Sequence, residues 1–168
     1  MSEIVTRSEP LPTTLFNAPG VAFYIAAPMT RYSLRARKVA AVAAMLEMAV
    51  PAKIGRDEGD VACLGPDEWL WRSATCRQLS ATTGTPVAVV DVSERSTCLI
   101  VEGPRAASVL QSGYPLDRDR FDAGRATRTI YETIETILFR EAKDRFEIEV
   151  WRSFTPWLWQ VLSTAASY

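Results

Sequence analysis

Asp91 is the acidic side chain best placed for chemistry. It interrupts the apolar run 87–92 just ahead of Ser93, and a carboxylate buried at such a point could serve as a general base with a raised pKa. The same spacing suits a structural role, in which Asp91 accepts hydrogen bonds from the turn N–H groups of Ser93 and Glu94. That structural reading is preferred. Arg95 and Arg105 have the planar fork that holds a carboxylate ligand with two hydrogen bonds, yet no second converging group stands near either in sequence, and pairing at the surface is the simpler reading. Arg31, Arg35, Arg37 and Lys38 crowd the start of a helix expected over 33–50. Positive charge there opposes the helix dipole, so it signals either an anion or acidic partner, or a solvated face that tolerates the cost.

What is missing narrows the chemistry further. The chain has no histidine, which removes the commonest general base and the commonest transition-metal ligand. Ser-His-Asp and Cys-His catalysis and HExxH zinc sites are thereby excluded. There is no GxGxxG and no GxxxxGK[ST]; the nearest glycine-rich text, Thr83-Gly84-Thr85-Pro86, reads as a turn. Cys63, Cys76 and Cys98 are odd in number and unclustered, as expected of reduced thiols that fill small buried spaces in a cytoplasmic protein. A net charge of −1 argues against nucleic acid as a partner. The longest strongly apolar stretch, 39–50, is interrupted by Glu47 and is too short to span a bilayer, and the opening text MSEIVTRSEPLPTT lacks the apolar core of a secretory signal.

The elements that would position these residues are organised around 86–116. Two short apolar runs, 87–92 and 97–101, flank the polar turn Ser93-Glu94-Arg95 and read as central strands. Gly103-Pro104 then opens a helix that ends at Gly113. Upstream, residues 1–20 read as an extended arm and 21–27 as a strand. The helix over 33–50 follows, capped by Ser33 and stopped by Pro51. A polar loop covers 53–60, and Gly65-Pro66-Asp67 joins 61–64 to 68–71 in a hairpin, with Trp69 and Trp71 on one face and Leu70 on the other. A short helix is expected over 73–81.

Downstream, 125–131 and 133–139 read as strands joined by a turn at Glu132. RFEIEVWR (145–152) alternates: Phe146, Ile148 and Val150 face one way, and Arg145, Glu147, Glu149 and Trp151 the other. That is the pattern of a strand with one covered and one open face. A last helix from Ser153 or Thr155 to Ala165 carries the stripe Phe154, Trp157, Leu158, Val161 and Leu162, with Trp159 off it. The reading is an α+β fold in which 21–168 forms a single domain of two loosely repeated split-βαβ halves, 21–92 and 96–165, with antiparallel sheets covered by helices. Of the five tryptophans, Trp69 and Trp157 are expected in the core. At least one of Trp71, Trp151 and Trp159 is expected against a partner, because Trp is enriched at interface hot spots.

Three stretches, ACLGPDEWLW (62–71), VVDVSERSTCLIVEGPRAASVLQSGYPLD (89–117) and EIEVWRSFTPWLWQVL (147–162), resemble in order and spacing the gamma subunits of bacterial heterotetrameric sarcosine oxidases. The likeness covers about 61–165, with an extension back to Tyr32-Ser33-Leu34-Arg35. It implies a truncated form of the folate-binding aminomethyltransferase, or T-protein, fold. It further implies a non-catalytic subunit packed chiefly on an alpha subunit, alongside beta and delta subunits, in a complex that demethylates sarcosine or a related N-methyl amine and passes the one-carbon unit to tetrahydrofolate. FAD, FMN and NAD would then sit in the larger subunits, with no catalytic, cofactor or metal residue in this chain. Arg35, Arg37, Trp71, Trp151 and Trp159 are its candidate partner contacts. The competing reading is a stand-alone folate-binding or one-carbon-transfer module, which rests on the fold alone.

Overall fold

The computed structural model describes residues 10–11, 15–75, 78–79, 86–117 and 120–168. Two antiparallel sheets carry the chain. The larger has the order β1-β2-β8-β11-β10-β9, built from β1 (Leu15–Ala18), β2 (Val21–Ile25), β8 (Ser96–Glu102), β9 (Arg125–Tyr131), β10 (Ile134–Ala142) and β11 (Arg145–Trp151). The smaller has the order β4-β5-β6-β3-β7, built from β3 (Thr30–Ala36), β4 (Asp57–Glu58), β5 (Val61–Gly65), β6 (Glu68–Ser73) and β7 (Val87–Asp91). Helix α1 (Val39–Leu46) packs on the outer face of the smaller sheet, and α2 (Ala106–Gln111) and α3 (Thr155–Ala166) on that of the larger. The two inner faces meet each other.

The largest core lies under α2 and α3. Phe23, Leu99, Val101, Tyr131, Phe146, Ile148 and Val150 point from the sheet toward Leu110, Leu158 and Leu162. Each large apolar side chain fully buried there contributes roughly 1.5–3 kcal/mol. The second core joins Tyr32, Leu34, Trp69 and Trp71 to Val42 and Leu46 of α1. The expected strand 21–27, the hairpin at Gly65-Pro66-Asp67, the helix after Gly103-Pro104 and the three strands of the last third are all present. Glu132 sits in the left-handed region at φ 51, where it closes the turn between β9 and β10.

Several expectations are corrected. Residues 30–36 form a strand, because Tyr32, Leu34 and Ala36 are buried with period two; the helix starts only at Val39, and Glu47, at φ 57, ends it. The turn 93–95 does not close a hairpin. It hands the chain from one sheet to the other, so β7 is an edge strand and only β8 is central. Leu15–Ala18, placed in the arm, pairs with β2 and belongs to the larger sheet, so the sheets do not follow the sequence halves. Both faces of β11 are covered along most of its length: Glu149 is 3% exposed. On α3 the fully buried stripe is Thr155, Leu158, Leu162 and Ala166, one step round from the expected one, and Phe154 is exposed. Of the short helix expected over 73–81, Ser73 closes β6 and 74–75 and 78–79 are not helical, while 76–77 and 80–81 lie outside the described residues, as does most of the N-terminal arm; Cys76 is among those outside.

Gly103 makes the junction between β8 and α2. It has φ +116, donates its N–H to Asp144 O at 2.9 Å, and a Cβ there would lie 2.5 Å from Gly20 O. Gly103→Ala is therefore expected to lower stability by at least about 2 kcal/mol, since both the backbone conformation and the close approach exclude a side chain. The urea midpoint measures it; a shift too small to resolve would show that the junction relaxes.

Candidate functional site

The charged side chains that sequence reading left on open faces meet between the sheets. Arg31 on β3 and Arg72 on β6 are directly opposite in register, 3% and 6% exposed, and both point inward. Two like charges at cross-strand spacing repel, and two buried guanidiniums require counter-charge. β11 supplies it. Arg31 Nε donates to Glu149 Oε2 at 2.7 Å, and Arg72 Nη1 donates to Glu147 Oε2 at 2.8 Å. Glu149 Oε1 and Glu141 Oε1 lie 3.7 and 3.5 Å from Arg72, whose guanidinium also stacks on Phe139, 3.6 Å from the ring centroid. Arg31 further donates to Met29 O at 3.0 Å. Beside these pairs Ala62, Leu70, Ala126, Ile137 and Phe139 form the apolar part of the layer.

Burial acts against the charge on Arg72, but Glu149 and then Glu147 outweigh it and hold the guanidinium firmly protonated. Cys98, across from Glu149 in register, is driven far above the usual thiol range by burial and then by that carboxylate. It is not a nucleophile at neutral pH. Burial pushes Asp57 up to about 7, with Arg72 opposing and Glu141, Glu147 and Asp60 adding to the rise.

The remaining candidates divide cleanly. Asp91 is exposed and accepts from Ser93 N at 2.9 Å and Ser93 Oγ at 2.6 Å; the bond from the hydroxyl, then that from the backbone, lowers its pKa. It is a turn residue. Arg105 donates to Pro19 O at 3.1 Å and Ala166 O at 3.3 Å, tying the entry to β2 to the end of α3. Arg35 pairs with Glu68 at 3.1 Å and Asp67 at 3.5 Å. It stands on a strand, as Arg31 does, so no helix dipole opposes either. Arg37 follows that strand and is exposed.

Trp69 is buried as expected and donates to Pro51 O at 2.8 Å. Trp71 is corrected: it is 3% exposed and stacks on Tyr32 inside the smaller sheet's core, so its ring cannot reach a partner. Trp159 is partly buried and packs edge-on against Phe23 at 4.8 Å, and Trp157 is partly buried beside Tyr131. Trp151 is 46% exposed beside Phe154, which is 40% exposed. Sequence reading missed the inward arginines. The available signal was that Arg31 alternates with Tyr32, and Arg72 with Trp71, in strands flanked by other strands on both sides.

Two antiparallel sheets stacked through a charged layer, with helices outside, define the class. The chain superposes on the glycine cleavage system aminomethyltransferase T of Bartonella henselae with a TM-score of 0.62 at 16% identity, over 85% of this chain and 45% of that one. That is a likeness of fold alone. The family is narrower. Residues 35–168 match the sarcosine oxidase, gamma subunit family, and the chain belongs to it. It is 34% identical over 128 residues to the sarcosine oxidase subunit gamma of Corynebacterium sp. (strain U-96), a match covering 69% of this chain and 62% of that relative, less than two thirds of its length. It also superposes on a chain of the heterotetrameric sarcosine oxidase from Corynebacterium sp. U-96, solved in complex with pyrrole 2-carboxylate. There the TM-score is 0.78 at 28% identity, over 92% of this chain and 87% of that one.

Two predictions come from the buried layer. Glu149→Ala leaves Arg31 charged and unpaired and is expected to cost roughly 3–5 kcal/mol, whereas the double change Arg31→Met with Glu149→Leu recovers most of that loss. Denaturant midpoints of wild type and the two variants decide; equal losses in the single and double changes would contradict it. Asp57 sets the sign of the pH dependence. Its folded pKa lies above its unfolded one, so the folded state keeps a proton that the unfolded chain has released, and stability falls as pH rises from about 4 to about 7. Glu68, lowered by its hydrogen bonds from Arg128, acts in the opposite sense, but its contribution is lost below the ordinary carboxylate range. Asp57→Asn should flatten the slope between pH 5 and 7 and raise stability at pH 8 by roughly 1–2 kcal/mol, a figure discounted for the screening of a half-buried group. Unchanged midpoints at pH 8 would refute it.

Proposed function

We propose that this chain is a non-catalytic, structural subunit of a heterotetrameric, flavin-dependent complex of the sarcosine oxidase kind. In this reading the complex oxidatively demethylates sarcosine or a related N-methyl amine and passes the one-carbon unit to tetrahydrofolate. The chain packs chiefly on the large alpha subunit, with beta and delta subunits in the same assembly. FAD, FMN and NAD belong to the partner subunits, and the complex works in the cytoplasm.

The observation that carries this reading is how the fold uses its ionisable groups. Arg31, Arg72, Glu147 and Glu149 pair with one another between the sheets. Asp91 and Arg105 bond the backbone. These six groups thus hold the two sheets and the turns, which is what a scaffold requires. Membership of the gamma subunit family, and the relative found in a heterotetrameric oxidase, support the same assignment. No helix among the described residues is long and apolar enough to cross a membrane.

Affinity purification of the tagged chain at native expression tests the proposal. The expected result is stoichiometric recovery of larger subunits with flavin absorbance. Recovery of a flavin-free monomer that binds tetrahydrofolate at micromolar concentration would overturn it in favour of a stand-alone folate module.

A further inference from the structure

Three apolar side chains point toward the space between the sheets and yet stay about half exposed. Val90 of β7 lies opposite Ser33, which lies opposite Leu70 of the inter-sheet cluster. Trp151 lies two residues beyond the inward Glu149 on β11. Ile130 of β9 lies opposite Glu135, two residues before the inward Ile137. Their exposures are 56%, 46% and 46%. Side chains on the inner faces of stacked sheets become exposed where the sheets diverge, so the sandwich opens into a mouth at this end.

The mouth is rimmed by guanidiniums. Glu68 receives Arg128 through two bonds, at 2.6 and 3.1 Å, and Arg35 through one at 3.1 Å. Arg95, on the turn leading into β8, contributes to lowering the pKa of the same carboxylate. Arg37 continues the inward series Arg31, Ser33, Arg35 just past the end of β3. Arg37 and Arg95 are exposed, and their guanidiniums form no hydrogen bond or ion pair among the described residues. Glu135, opposite Ile130 and close enough to act on Arg128, is an exposed acid of this face; the guanidiniums of Arg37 and Arg95 remain available around the apolar floor.

We infer that this mouth receives a segment of a partner polypeptide that places an apolar side chain between carboxylates. The apolar group would cover Val90, Ile130 and Trp151, and the carboxylates would take the forked donors of Arg37 and Arg95. The inference rests on the proposed function, since it names the surface and the chemistry by which the subunit is held.

The test uses the complex recovered through the tagged chain. Oxidative footprinting with mass spectrometry compares Trp151 in the free chain and in the complex, and retention of the partner subunits is compared among wild type, Trp151→Ala, Arg95→Glu and the control Ile54→Ala, an exposed apolar residue on a different loop. Both test side chains are exposed, so thermal midpoints should hold near wild type. Expected are strong protection of Trp151 in the complex and at least about tenfold weaker partner retention in the two mouth variants but not in the control. Retained partners with an unprotected Trp151, or mouth variants that bind within about twofold of wild type, would overturn the inference and leave the proposed function standing. Protection of Trp151 in the concentrated chain alone would point to a second copy and overturn it as well. Failure of wild type to recover any partner would sink the proposed function, and the inference with it.

Discussion

Arg31 and Arg72 face each other across two paired strands, buried, and cannot stay there unless acids arrive from the opposite sheet. This requirement constrains the molecule more than any single apolar contact does. An apolar interface between sheets tolerates sliding, since one methyl group substitutes for another. A guanidinium 2.7 Å from Glu149, beside another 2.8 Å from Glu147, does not. Shifting β11 by one residue against its neighbours would place Ile148 at the arginines and turn the glutamates toward the helices. The net free energy of such pairs is small, because desolvation offsets most of the attraction, while breaking one partner is costly. Their effect here is to select one stacking of the sheets from several of similar apolar burial.

That constraint accounts for the distribution of the rest. The two larger apolar cores lie on the outer faces under the helices, because the inner faces share their space between charge and a smaller apolar cluster. Among the described residues the smaller sheet is covered by one helix, the eight-residue α1, with Met48, Val50 and Leu79 beside it, and the aromatic rings of Tyr32, Trp69 and Trp71 fill much of the volume. Trp71 is consequently held inside. The indole left with solvent is Trp151, where β11 runs past the last acid of the inter-sheet layer.

Much of the fold was legible because local signals and tertiary structure agree there. Gly65-Pro66-Asp67 fixes a hairpin whatever surrounds it, and the Gly103-Pro104 start of α2 needs the freedom of a glycine that the structure finds at φ +116. Residues 30–36 were misread because Arg35, Arg37 and Lys38 lead into an alanine-rich helix, and local helix propensity extended that helix backward over a strand. The strand's identity rests on burial of Tyr32, Leu34 and Ala36 by β6, β7 and α1, which no local window contains. The inter-sheet charges were invisible for a related reason. Alternation told correctly that Glu147 and Glu149 share a face, but whether that face meets water or two arginines from elsewhere in the chain is a property of the assembled sheets. The same blindness placed Trp71 among the exposed indoles.

The larger sheet shows how far this chain differs from a simple duplication. β8 is central only because β2, from far earlier in the sequence, pairs along its free edge and carries β1 on its own outer edge. The turn 93–95 then takes the chain across the stack, and its backbone bonds Arg31 and Arg152 as it crosses: Val92 N donates to Arg31 O, and Arg152 N to Arg95 O. Arg31, the crossover and the start of α3 are thereby joined in one network, which ends at Trp151 and Phe154. A group that docked on those rings would be held by the same network that fixes the stacking of the sheets. The exposed aromatic pair is therefore borne on a rigid part of the fold, and binding there would carry little ordering cost for this chain.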